Sequence, residues 1–134
     1  WTPFVENDVI PACEALFPHW GISIQQIHQR ARVNRGKGRT MMIDLLLTNA
    51  DSAILVDVKC TLTIENIKDH LERLARFKDL FPQFADCRVI GAVAGIDSDE
   101  GVETFAAQQG LFVMMQSGET IYLANEEAFE PRTW

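Results

Sequence analysis

The sequence predicts one α/β domain over residues 1–134, a mixed central sheet flanked by helices, in the order α-β-β-β-α-β-α-β-β. Three observations carry that prediction. Residues 41–47 and 53–59 are short runs of branched aliphatics joined by Asn49-Ala50-Asp51-Ser52, the pattern of a β-hairpin. An amphipathic stretch with helical spacing follows at once from Thr63. Residues 88–96 form an apolar run containing small residues, as in a central strand with close packing above it.

The elements follow in order. Over residues 4–17 the apolar positions Val5, Val9, Ala12, Cys13, Leu16 and Phe17 have near-helical spacing. Pro11 interrupts that helix, by a kink or a new turn, and Pro18 is expected to stop it. Residues 22–33 read as a strand whose apolar phase changes between Ile22/Ile24 and Ile27, Ala31 and Val33, which calls for a β-bulge or a long bend. Asn34-Arg35-Gly36-Lys37-Gly38 is a turn, and the two strands of the hairpin come next. Thr63 is placed to cap a helix with Glu65 in its first turn and Ile64, Ile67, Leu71, Leu74, Ala75 and Leu80/Phe81 as its buried stripe. Glu65, Lys68, Asp69, Glu72, Arg73 and Arg76 make its wet face, and Pro82 ends it. After the 88–96 strand, Ser98 or Asp99 is expected to cap a short helix over 101–109 that stops at Gly110. Two last strands, 111–115 and 120–123, meet at a Ser-Gly turn.

Composition sets limits on function. The 134 residues are 47% hydrophobic and 23% charged, enough for a proper core in a soluble protein. No apolar run nears the roughly 20 residues that cross a bilayer. The chain begins at Trp1 rather than Met, so a fragment or trimmed product is expected. Cys13, Cys60 and Cys87 form no CxxC pair, which argues against a zinc ribbon or disulfide scaffold and fits reduced thiols in the cytoplasm. Cys60 has no evident His/Asn partner for a cysteine hydrolase. The net charge is −7, yet Arg30, Arg32, Arg35, Lys37 and Arg39 fall within ten positions free of acids. That distribution suits contact with phosphates at one place only.

The strongest functional signal is charge inside the hairpin strands. Asp44 interrupts one apolar run and Asp57-Val58-Lys59 closes the other. Charged side chains are rarely buried unless paired or bound to metal. Asp57 and Lys59, two apart on a strand, share a face, and Asp44 reaches the same end of the sheet from the neighbouring strand. Two carboxylates, the Val58 backbone carbonyl and waters match the octahedral oxygen shell of Mg²⁺. Such an ion lowers the pKa of bound water, and Lys59 is suited to orient that water or stabilise developing phosphorane charge. The bland reading has both aspartates satisfied by turn amides, with Lys59 as their salt-bridge partner. His19, His28 and His70 read as ordinary surface or packed residues, although His70 lies on the helix after the site. Gly91 and Gly95 lack phosphate-loop spacing and read as packing glycines.

With its Asp44…Asp57-Val58-Lys59 pattern on hairpin strands followed by a helix, the chain resembles the PD-(D/E)XK nuclease-like superfamily. The resemblance is nearest to an uncharacterised group of small bacterial proteins in it, through Ile43-Asp44-Leu45-Leu46, Val56-Asp57-Val58-Lys59, Leu71-Glu72-Arg73-Leu74 and Gly91-Ala92-Val93-Ala94-Gly95. It implies a restriction-endonuclease-like core, a helical segment upstream of this chain, and a Mg²⁺- or Mn²⁺-dependent deoxyribonuclease. It also implies an acid from the first helix in the metal shell, a place matched by Glu6 and more weakly by Glu14. Ile43 stands where the named motif has proline, and Asp57 where glutamate is commoner. Arg30, Arg32, Arg35, Lys37 and Arg39 are then expected on the DNA backbone, and a homodimer would pair two sites. The alternative is a catalytically inactive nuclease-like module that binds nucleic acid or a protein.

Overall fold

A computed structural model describes residues 2–134, with Thr2 through its backbone alone. The chain enters through α1 (Thr2–Phe4), a π-helical turn (Val5–Val9) and α2 (Ile10–Leu16), then a 3₁₀ turn (Phe17–Trp20). Pro11 explains the change of winding. It has no N–H to donate, so the turn before it widens and the Ile10 N–H reaches back to the Val5 carbonyl. Pro18 stops the α-helix as expected, α2 ending at Leu16 with Phe17 as its cap. It sits at the start of the 3₁₀ turn, whose N–H is unspent there anyway, and Gly21 in the left-handed region (φ 77°) ends it.

Six strands form one sheet in chain order: β1 (Gln26–Asn34), β2 (Thr40–Thr48), β3 (Ser52–Leu62), β4 (Arg88–Ser98), β5 (Phe112–Ser117) and β6 (Thr120–Leu123). β2 runs antiparallel to both of its neighbours, β1 and β3; β3, β4 and β5 are parallel, and β6 returns antiparallel to β5. Each parallel pair needs a crossover, supplied by α3 (Ile64–Leu80) and α4 (Val102–Gln108). The predicted order of elements holds throughout. Ile22 falls outside β1, which starts at Gln26.

α3 starts on a full capping box: Asn66 N–H donates to Thr63 Oγ1 at 3.2 Å and Thr63 N–H to Asn66 Oδ1 at 2.9 Å. α4 departs from the expected cap. Gly101 in the left-handed region precedes it, while Ser98 Oγ donates to Glu103 Oε2 at 2.7 Å.

Two cores sandwich the sheet. On one face Ile67, Leu74, Phe77 and Leu80 of α3 pack with Ile43, Leu55, Val93 and Leu111. On the other, Val5, Val9, Cys13 and Phe17 pack with Leu45, Val56, Val58 and Phe112. Gly91 gives α3 its close seat, since a Cβ there would lie 2.5 Å from Leu74 Cδ1 and 2.6 Å from Leu111 Cδ2.

Candidate active site

The site grows from a fault in the sheet. Along β1 and β2 the register is constant, but no rung pairs Arg30 with Asp44. Arg30 sits there at φ 53°, in the left-handed region that a non-glycine residue reaches only at about 1–2 kcal/mol. Both strands change face across this rung. Ile27, Leu45 and Leu47 belong to the N-terminal helical core, whereas Ala31, Val33, Met41 and Ile43 belong with α3. The phase change is therefore a bend taken by two strands in step, with no residue inserted.

β3 parts from β2 at the same level. Their ladder ends at Leu45 and Val56, one residue short of an Asp44–Asp57 rung. The Asp44 side chain fills the gap, its Oδ2 accepting the Val58 N–H at 2.8 Å. The backbone thus gives up a ladder bond and a carboxylate replaces it. This brings the Asp44 carboxyl within hydrogen-bonding reach of Asp57.

Asp57 is buried, with 5% exposure, and alternation along β3 turns it toward α3. Burial pushes its carboxyl up to about 7, against the pull of Arg73 and Lys59, with Asp44 adding to the rise. Lys59 Nζ lies 3.7 Å and Arg73 Nη1 3.8 Å from Asp57 Oδ1. Both separations are ionic contacts longer than a hydrogen bond. Behind them, fully buried His70 donates from Nε2 to the Leu55 carbonyl at 3.0 Å. Its Nδ1 is then the acceptor, and Arg73 Nη1 donates to it at 2.7 Å. Burial first, then Arg73, holds the imidazole down at about 4, so it is neutral at pH 7.

Asp44, Asp57 and Lys59 are thus brought together, and Val58 is tied to Asp44 through its N–H. Glu6 is not brought to them. It is exposed on the π-helical turn, whose Val5 and Val9 pack on the opposite face of the sheet; Glu14 is likewise exposed on that layer. Arg30, Arg32, Lys37 and Arg39 are exposed. Arg35 reaches from Nε and Nη2 to the Leu80 carbonyl at 3.4 and 3.3 Å, so it binds the hairpin to the end of α3. Sequence reasoning gave His70 an ordinary surface or packed role and put Arg73 on the wet face of the helix, so neither was assigned to the site. The available signal was His70 itself, a polar residue between Ile67 and Leu74 on the apolar stripe.

No protein-family model matches the chain, and no curated protein is significantly similar to it. Among solved structures, the fold is similar to a repair endonuclease from Pyrococcus abyssi, with a TM-score of 0.53 at 12% identity. The match covers 84% of this chain and 46% of that one, so the chain spans less than half of that protein.

The fold is a restriction-endonuclease-like core. In this core the paired aspartates fit a hard divalent cation: two carboxyls in contact, one of them held near pH 7 by burial, are what such an ion would neutralise. Among the described residues no third acid, histidine or cysteine joins them. Water and substrate oxygens would complete the shell, as Mg²⁺ commonly allows.

Proposed function

We propose that this domain is a metal-dependent nuclease that hydrolyses phosphodiester bonds, with DNA as its substrate. The carrying observation is buried Asp57 beside Asp44 where the β2–β3 ladder stops, with Asp44 Oδ2 on the Val58 N–H at 2.8 Å and Lys59 Nζ 3.7 Å from Asp57. Asp44 and Asp57 would hold Mg²⁺ or Mn²⁺, which when bound supplies Lewis acidity toward a phosphoryl oxygen and an acidified water. Asp44 also fixes the Val58 backbone, so the β3 end cannot drift from the site. Lys59, at 40% side-chain exposure, is close enough to Asp57 to share its charge and open enough to meet solvent and substrate. It orients the attacking water and offsets negative charge that develops on phosphorus ligands. Arg30, Arg32, Lys37 and Arg39 offer exposed cations to the phosphate backbone, which favours binding without reading sequence.

This reading places the chain in the PD-(D/E)XK nuclease-like superfamily, beside small bacterial proteins with a helical segment before the nuclease-like domain. It carries a cytoplasmic location and a homodimer that sets two sites on a duplex. Light scattering checks the dimer. A second reading, a nuclease-like module that binds without cutting, draws on one observation. The carboxylate pair has no third acid among the described residues.

The deciding experiment is cleavage of labelled duplex, single-stranded and branched DNA, and of RNA, with Mg²⁺ or Mn²⁺. Asp57→Asn and Lys59→Ala proteins run alongside. Cutting abolished by EDTA and by both substitutions supports the nuclease. Cutting that survives both substitutions rejects this site, and no cutting together with no metal binding by calorimetry leaves the module.

A further inference from the structure

Arg73 belongs to the carboxylate cluster and also to a groove of about 660 Å³ between β2 and α3, whose walls include Arg32, Met42, Asp69, Glu72 and Arg76. Its guanidinium has five N–H donors. Among the described residues only Nη1 is engaged, to His70 at 2.7 Å and, at ionic distance, to Asp57. The Nε and Nη2 donors have no partner there, and the side chain keeps 24% exposure. A residue serving only to neutralise Asp57 would bond it directly, yet the 3.8 Å separation is too long for that.

His70 accounts for the geometry. One ring nitrogen is fixed to the β3 backbone at Leu55 and the other takes the Arg73 proton, so the imidazole acts as a strut from the sheet to the guanidinium. A neutral ring is required, because a protonated one has no acceptor for Arg73. The arrangement leaves a planar, permanently charged fork at the edge of the carboxylate cluster, the shape that binds two oxygens of one phosphate.

We propose that Arg73 binds a phosphodiester at this site through its free donors, and that His70 is the positioning residue that aims it. The proposal rests on the nuclease reading for the chemistry of its ligand. The groove restricts it further. Asp69 and Glu72 line the same α3 wall and form no ion pair with Arg73 or Arg76 among the described residues, so a run of phosphates along the helix is disfavoured. Arg73 therefore makes a single-phosphate contact.

The test is fluorescence anisotropy of a labelled single-stranded oligonucleotide and its duplex, across a salt series. Ca²⁺ replaces Mg²⁺ because it is too large for the tight octahedral site. Arg73→Ala should weaken binding about tenfold, the scale of one charge-assisted hydrogen-bond pair. It should also reduce the slope of log K against log salt by about 0.7 to 0.9, the value for one phosphate. Arg73→Lys should keep the slope and lose part of the affinity. His70→Leu should reproduce Arg73→Ala, His70→Gln should restore part of the binding, and His70→Leu should add nothing in the Arg73→Ala background. Circular dichroism confirms folding. If His70→Leu does not fold, His70→Gln and the two Arg73 variants still decide. Arg73→Ala binding with wild-type affinity and slope overturns the phosphate contact. An equal His70 effect with and without Arg73 overturns the positioning role. Wild-type protein that binds but never cuts with Mg²⁺ or Mn²⁺ defeats the nuclease reading and leaves this inference standing; wild-type protein that binds no oligonucleotide overturns both.

Discussion

Asp57 and His70 are buried ionisable groups whose protons pull stability in opposite directions with pH. The Asp57 carboxyl titrates near 7 in the folded chain against 3.8 ordinarily, so the fold binds a proton through that window that the unfolded chain has released. Its contribution is full below 3.8 and is lost as pH rises through about 7. Metal-free Asp57→Asn should therefore be more stable than the parent at pH 8, on the order of 4 kcal/mol, and nearly equal to it at pH 4. Thermal melts at the two pH values in EDTA check this, and equal stability at pH 8 would mean Asp57 is not held protonated by burial. His70 behaves in the reverse sense. Its folded value of about 4 lies below 6.5, so its contribution is full above 6.5 and is lost as pH falls through 4. Ring-carbon NMR of His70 should show no titration from pH 8 to 5. A midpoint near 6.5 would remove the strut to Arg73.

At the scale of elements, the hairpin tip and α3 hold the site between them. Arg35 caps the last turn of α3 at the Leu80 carbonyl, and Arg76 Nη2 lies 3.4 Å from the Gly38 carbonyl. The seat of α3 on the sheet is set by Gly91, where a methyl group would press on Leu74 and Leu111. Gly91→Ala should destabilise the fold by about 1–3 kcal/mol, the usual scale of overpacking, and denaturant melts measure it. Thr63→Ala, which removes the capping box at the other end of the crossover, should lose about 1 kcal/mol in the same assay. The order of elements was legible because apolar runs, turn residues and capping signals agreed. Asp44, Asp57 and Lys59 were legible because charge is conspicuous in an aliphatic strand. Arg73 was not, since on an amphipathic helix it looks like any residue of the wet face until His70 is seen beneath it. Glu6 was assigned by chain order, which does not say that its helix packs on the opposite face of the sheet. A phase change in this strand was legible, but it was read before Ile27, whereas Ile27 keeps the face of Ile22 and Ile24 and the change falls at Arg30. Its coupling to Asp44 needed the register of the partner strand.

For the whole molecule, the proposed metal site would make metal binding, proton release and stability one linked equilibrium. A divalent cation at Asp44 and Asp57 must take the ionised form of a carboxyl that holds its proton to about 7. Two pH units lower, competition from that proton weakens apparent affinity by roughly a hundredfold. The proposed cation would bind the folded chain only, because Asp44 and Asp57 stand side by side only when β2 and β3 are assembled. Mn²⁺ should therefore raise the melting temperature by several degrees at pH 8 and by little at pH 5. Asp57→Asn should abolish the shift, whereas Glu6→Gln should leave it intact, because Glu6 stands on the far layer. Differential scanning calorimetry with and without Mn²⁺ measures all four cases. A shift of equal size at both pH values would place the ion on groups other than Asp57, and loss of the shift in Glu6→Gln would require the N-terminal layer to move toward the site on metal binding.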